Sequence, residues 1–335
     1  MKIVSGRRNN KQRIFALLDI LMQKTDEDHP LNASELISLL ERKDISCDRK
    51  TIYEDIEALI LSGYDIISVR GSKSGYFLSG REFELPEVAL LTDAVLAADF
   101  ITHKKTATLI KKLKGLLNEY QAEKFKSRTF IDNRNKGDNE EIYYSIDTID
   151  KGIEKKKKIT LKYIRHTLKN SRTPVLNTKE MTVSPYALIW ADDHYYLVCN
   201  NEKYDNLMHL RLDRMKNVTL TDEDYRHFSE VSDYKKEFNT ADYSEKVFNM
   251  FSGEEEEIVF DCNTEILEQV IDRFSDKIFI RQSGENRFKF SHKACISEGL
   301  VTWIMQFGDK MLVESPDSLK AKITERATQI QKLYK

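Results

Sequence analysis

Apolar positions along the first third of the chain recur at helical spacing. In KQRIFALLDILMQK, Ile14, Leu17, Leu18 and Leu21 fall on one side of a helix. A second run, NASELISLLERK, opens on residues suited to a helix N-terminus and carries Leu36, Ile37, Leu39 and Leu40. DRKTIYEDIEALILSGYDII gives a third, with Ile52, Ile56, Leu59 and Ile60 as its buried stripe and Gly63 as its stop. The period then changes. Ile66 to Val69 and Tyr76 to Leu78 are short apolar runs on either side of RGSKSG, which predicts a hairpin with a basic tip. Three helices and a hairpin in this order predict a winged helix-turn-helix over residues 1–80, with the third helix in the position that enters a major groove.

Beyond Pro86, PEVALLTDAVLAADF and TATLIKKLKGLLNEY predict two more helices, a linker over 81–140 and a candidate dimer contact; NRNKGDNEE then reads as a loop. YYSIDTIDKGIEKKKK is helical, and ITLKYIRH, MTVSPYALIWADD, HYYLVCN and LMHLRLDRMKNVTL are strand-like. Residues 141–235 are therefore expected to form a small antiparallel sheet or barrel preceded by a helix. From 236 to 335 the order is strand, helix, two strands, helix, strand and helix, a ferredoxin-like extension with an added terminal helix. The fold class is multidomain α+β.

Composition narrows the function classes. Hydrophobic residues make up 40% and charged residues 32%, and no run reaches the ~18 apolar residues of a membrane span. Asp19, Gln23 and Lys24 interrupt the first apolar stretch, which reads as an amphipathic helix and not a signal peptide. Cys47, Cys199, Cys262 and Cys295 are far apart, consistent with reduced thiols in the cytoplasm. His29, His103, His166, His227 and His292 form no pair at metal-ligand spacing. With no nucleophile elbow, phosphate-binding loop or HExxH, neither catalysis nor a cofactor is expected. Lys155 to Lys158 read as a solvated helix end, Glu254 to Glu257 as a solvated turn, and Trp303 with Phe307 as core.

The formal net charge is −2, and residues 1–80 hold twelve Lys/Arg against twelve Asp/Glu, so nucleic-acid binding must rest on local patches. Lys2, Arg7, Arg8, Lys11 and Arg13 precede the first acid, Asp19. On the third helix, Arg49, Lys50, Thr51 and Tyr53 lie opposite the apolar stripe, where Arg can fork onto guanine and the others can hold phosphate. Arg13 and the hairpin's Lys73 extend this surface, while Glu54 and Asp55 oppose it. A pair of such domains, a homodimer, compensates for the few contacts of one. In LMHLRLDR, period-two alternation sends His209, Arg211 and Asp213 to one side and Met208, Leu210 and Leu212 to the other, with Tyr195 or Tyr196 on the neighbouring strand able to join a face. This is a candidate site for an anionic ligand, against the plainer reading of an exposed face with routine ion pairs.

The stretch SPYALIWADDHYYLVCNNEKYDNLMHLRLDRM resembles a WYL domain, through Trp190, Tyr196, Leu197 and then LRLDRM. DRKTIYEDIEALILSGYDI resembles the winged helix-turn-helix usually joined to it, and WIMQFGDKMLVESP is similar to the C-terminal extension of such proteins. The resemblance covers nearly the whole chain. It implies a transcriptional regulator binding double-stranded DNA, with an Sm-like barrel that senses a nucleotide or single-stranded nucleic acid. The matched residues are Tyr196, Leu197, Arg211 and Arg214, with Tyr195 and His209 adjacent to them. Glu54 departs from relatives that commonly carry a basic residue before the Asp55 position. Two other classes remain: a scaffolding protein whose helix-turn-helix contacts proteins, separable by the salt dependence of duplex binding, and an enzyme acting on a nucleotide held at Arg211, separable by product analysis.

Overall fold

The computed structural model describes residues 4–71, 73–126, 136–168, 174–275 and 278–335. Lys2 and the side chains of Arg7 and Arg8 lie outside the described residues, as does the first part of the NRNKGDNEE stretch. The chain divides into two compact units, Met1–Lys136 and Gly137–Lys335.

The first unit contains α1 (Val4–Lys24), α2 (Ala33–Glu41), α3 (Arg49–Leu61), the hairpin β1 (Ile66–Val69) and β2 (Gly75–Leu78), then α4 (Leu85–Ala97), α5 (His103–Lys114) and α6 (Glu119–Lys126). Leu17, Leu21, Leu36, Leu40 and Ile52 are fully buried where the first three helices meet. The second and third helices start on side-chain caps: Asn32 and Glu35 form a reciprocal capping box on α2, and Asp48 Oδ1 accepts the Thr51 N–H at 2.8 Å on α3. At Gly75, a Cβ would stand 2.6 Å from the carbonyl carbon of Leu31, so only glycine lets the hairpin lie against the segment before α2.

Three expectations fail in this unit. Ile60 is 45% exposed, because one residue past Leu59 the helix has turned about 100° away from the core. Arg13 does not reach outward: Nε and Nη2 grip Asp55 Oδ2 and Oδ1 at 2.5 and 3.0 Å, with both side chains nearly buried. The hydrogen bond to Asp55 holds the Arg13 pKa above its ordinary value. The second linker helix also ends early, at Gly115, and α6 begins on Asn118, whose Oδ1 accepts the Gln121 N–H at 2.7 Å. Asn118 Nδ2 donates to the Thr25 carbonyl at 3.0 Å, fastening α6 to the end of α1.

The second unit opens with α7 (Ile142–Lys155), followed by β3 (Lys157–Leu168), β4 (Pro174–Ala191), β5 (His194–Asn200), β6 (Met208–Arg211) and β7 (Met215–Asp224), in the order β6-β5-β4-β3-β7. The long β4 serves both halves of this sheet, since residues 174–183 pair with β3 and 184–191 with β5. A short helix missing from the sequence reading, α8 (Thr240–Lys246), follows. Then come β8 (Glu254–Asn263), α9 (Leu267–Phe274), β9 (Arg281–Gly284), β10 (Arg287–Ile296), α10 (Glu298–Met305), β11 (Met311–Ser315) and α11 (Asp317–Leu333). The strand order β11-β8-β10-β9 with antiparallel neighbours is the split βαβ arrangement of a ferredoxin-like sheet. Trp303 and Phe307 pack edge to face at 5.0 Å against its core.

Two charge runs depart from their expected roles. Glu254 to Glu257 are not a turn but the first rungs of β8, where Glu257 pairs across from Lys293 and Glu255 meets Lys246 at 2.9 Å. Lys158, expected at a solvated helix end, is buried in β3 between Glu202 at 2.6 Å and Glu223 at 3.0 Å. Among the described residues no helix is long and apolar enough to cross a membrane.

Because Arg13 and Asp55 are both withdrawn from water, Arg13→Met is expected to cost ~3–5 kcal/mol by leaving the carboxylate uncompensated, and Arg13→Met/Asp55→Leu to recover most of it. Urea unfolding checks this, and simple additivity of the two single losses would show that the pair is not coupled.

Candidate functional site

The outer face of α3 is set by its core face. With Ile52, Ile56 and Leu59 buried, Arg49, Lys50 and Tyr53 are exposed and Thr51 is half-buried. Arg49 Nη2 donates to Ser34 Oγ of α2 at 2.5 Å, which aims the guanidinium across the gap between the two helices. Lys50 stands 3.8 Å from Glu54 in an open ion pair of little energetic weight. The Tyr53 ring lies 6.3 Å from that of Tyr76 on β2, joining the helix face to the hairpin, and Lys73 Nζ near the hairpin tip donates to the Asp28 carbonyl at 3.3 Å. Asp55, expected to repel phosphate, faces inward with its charge taken by Arg13, so Glu54 is the acid left beside these cations on α3.

In the second unit the β5–β6 register sets Tyr196 opposite Arg211 and Val198 opposite His209, so the pleat gathers Tyr196, His209 and Arg211 on one face. Tyr195 turns to the other face, its ring 6.4 Å from Trp190. The strand stops at Arg211. Leu212–Arg214 is a 3-10 turn, and it is this turn, not strand alternation, that returns Asp213 to Arg211. Arg211 Nε and Nη2 hold the Asp213 carboxylate at 3.1 and 2.7 Å, the same kind of pairing as Arg13 with Asp55. Arg214 is half-buried and makes no hydrogen bond or ion pair among the described residues.

The turn is fixed by a residue that no motif pointed to. Asn139 is buried, and its Nδ2 lies 2.6 Å from the Met215 carbonyl, 3.3 Å from that of Asp213 and 3.4 Å from that of Leu212. His209 is also more enclosed than expected: Nε2 lies 2.8 Å from Tyr243 Oη on α8, and burial pushes the imidazole pKa down to about 4. It is neutral near pH 7 and offers an anion no charge. No group of three or more His, Cys, Asp or Glu side chains among the described residues is placed to hold a metal ion.

Comparison with known proteins matches residues 145–220 to the WYL domain and 254–331 to the WCX domain. A curated relative, the uncharacterized HTH-type transcriptional regulator YobV of Bacillus subtilis (strain 168), is 25% identical over 219 residues, covering 62% of this chain and 64% of that protein. Proteasome accessory factor B/C (PafBC) of Arthrobacter aurescens aligns with 93% of this chain and 47% of its own at 15% identity; its TM-score of 0.27 is too low to carry a structural argument. The chain thus spans less than two thirds of the length of each of these two proteins.

Since burial depresses the His209 pKa from 6.5 to about 4, the unfolded chain binds the extra proton, and this stabilisation, complete above about pH 6.5, is lost as pH falls towards 4. His209→Gln removes the titration while retaining a donor for Tyr243. Thermal melts across that window are expected to show a shallower acid loss for the variant, and an unchanged slope would place the acid sensitivity elsewhere.

Proposed function

We propose that this chain, in which WYL and WCX domains are found, is a DNA-binding transcriptional regulator whose WYL domain senses an anionic effector. The observation that carries this reading is the outward presentation of Arg49, Lys50 and Tyr53 on α3 beside the β1–β2 hairpin. We read residues 1–80 as a winged helix-turn-helix, 81–140 as a helical linker, 141–235 as the WYL domain with an Sm-like barrel, and 236–335 as the extension. The sheet order β6-β5-β4-β3-β7 after α7 supports the barrel, and the likeness to an HTH-type transcriptional regulator of Bacillus subtilis supports the DNA-binding half. Arg49 forks onto a guanine edge, Lys50, Thr51 and Tyr53 position the helix on phosphate, and Lys73 follows the backbone. Arg13 leaves this set because Asp55 occupies it.

The effector reading rests on Arg211 and Arg214 with Tyr196 beside them. A nucleotide or short single strand engages Arg214 and competes with Asp213 for Arg211, and Tyr196 gives a ring to stack on. The regulator is non-enzymatic and cytoplasmic. It acts as a homodimer through α4–α5 or the C-terminal extension; Leu90 is 72% exposed on α4 and Leu333 82% exposed at the end of α11, apolar surface that a second copy covers.

Fragments selected by the protein from its own genome provide the probe. Arg49→Ala is expected to cost ~1–3 kcal/mol at the selected site, whereas Lys73→Ala weakens all duplexes alike and lowers the salt slope by about one. Duplex binding by Arg49→Ala/Tyr53→Ala equal to wild type overturns the assignment. Light scattering tests the assembly: the wild type is expected to give a dimeric mass that Leu90→Glu/Leu91→Glu reduces to that of a monomer, and a monomeric wild type both free and on DNA refutes it.

A further inference from the structure

A cavity of about 790 Å³ in the second unit lies on the side of β6 away from Arg211, with Met208 and Leu210 in its wall. Register explains why these side chains meet. Arg165 pairs across from Asn177 and Tyr163 from Lys179, and Leu161 and Ile159 from Met181 and Val183, so alternate residues of the β3–β4 ladder point the same way. β6 sends Met208 and Leu210 to this face and His209 and Arg211 to the other.

The wall has three chemistries. Its floor is apolar, from Met181, Val183, Met208 and Leu210. Its end, where β5 runs into the following loop, is amide-rich: Asn200 is fully buried, and its Nδ2 donates to the Tyr204 and Asn206 carbonyls at 2.7 and 2.9 Å. Asn200 Oδ1 is buried there with no hydrogen-bond partner, an acceptor in want of a donor. The charges do not cancel. Glu202 and Glu223 are both spent on Lys158, and Glu180 stands 3.3 Å from Lys162. Arg165, Lys179 and Lys203, all exposed at the rim, have no ion pair among the described residues. The Arg165 guanidinium lies 5.3 Å from the centre of the Tyr163 ring.

We propose that this cavity is a binding site for a ring-bearing anion of nucleoside monophosphate size. The apolar floor takes the ring, the amide end reads its polar edge, and the three rim cations hold the phosphate. The volume lies within the range of small-molecule sites, roughly 300–1,000 Å³. This site goes beyond the effector reading at Arg211 and Arg214, from which the pleat separates it, and needs neither side chain.

Isothermal titration of the full chain with adenosine, guanosine and uridine monophosphates, the matching nucleosides and inorganic phosphate tests it. At least one monophosphate is expected to bind saturably, with its nucleoside and phosphate alone each weaker by about tenfold or more. Lys179→Glu/Lys203→Glu changes exposed side chains and is expected to keep the wild-type melting temperature while losing that binding. Arg211→Ala/Arg214→Ala is expected to retain it. No saturable binding of any monophosphate, a nucleoside or free phosphate binding as tightly as the nucleotide, or a rim variant that binds like wild type overturns the proposal. Binding lost only in the arginine variant overturns it too, and moves the ligand to the opposite face.

Discussion

A charge taken out of water has to keep a partner, and that constraint fixes more of this protein than any single apolar contact. Asp55 is tolerated on the buried side of α3 because Arg13 of α1 meets it with two hydrogen bonds. Lys158 is buried in β3 because Glu202 and Glu223 reach it from two other segments. Arg211 and Asp213 close the 3-10 turn in the same way. These pairs sort the cations of the chain. Those used internally hold elements together; those left at the surface, Arg49 and Lys50 on α3 and Lys179 and Lys203 at the cavity rim, remain available to something outside the fold.

That sorting explains what the sequence could and could not disclose. The helical period of KQRIFALLDILMQK and the period of two in LMHLR are local, and these elements appear where the patterns place them, as does the cap on α2. Partner choice is not local. Arg13 and Asp55 are 42 positions apart and Lys158 and Glu223 are 65 apart, so nothing in either neighbourhood marks the arginine as internal or the lysine as buried. Arg13 looked like the neighbour of Arg7 and Arg8 in a basic run. Lys158 looked like the fourth member of a lysine tract, although it is also the second residue of a strand, where alternation alternately hides and exposes side chains.

Asparagine carried information of a kind that pattern reading misses. Asn118 and Asn139 both precede helices and resemble ordinary caps, but the amide of each also donates to backbone carbonyls far along the chain, Thr25 for one and Met215 for the other. A short amide can serve two such partners where a longer side chain would lose more rotamer freedom on being held. The candidate site inherits its form from this. The Asn139 clamp holds the backbone of the turn, so Asp213 is presented to Arg211 without strand pairing.

The two faces of β6 are separated by the pleat but not isolated from each other. Tyr163, almost buried in the cavity wall, accepts a hydrogen bond on Oη from the Arg211 backbone N–H at 3.3 Å and lies under the Arg165 guanidinium. Displacing the Tyr163 ring would lengthen a hydrogen bond that is already long and free the start of the turn bearing Arg211 and Arg214. The turn has a second restraint in Asn139, so its loosening need not be unfolding but a shift between clamped and less clamped states. A ligand with unequal affinity for those states, bound on either face, biases the other, and by linkage the effect is mutual. Because the connection is a single peptide N–H, truncating the Arg211 side chain would leave it intact; removing the Tyr163 hydroxyl would not.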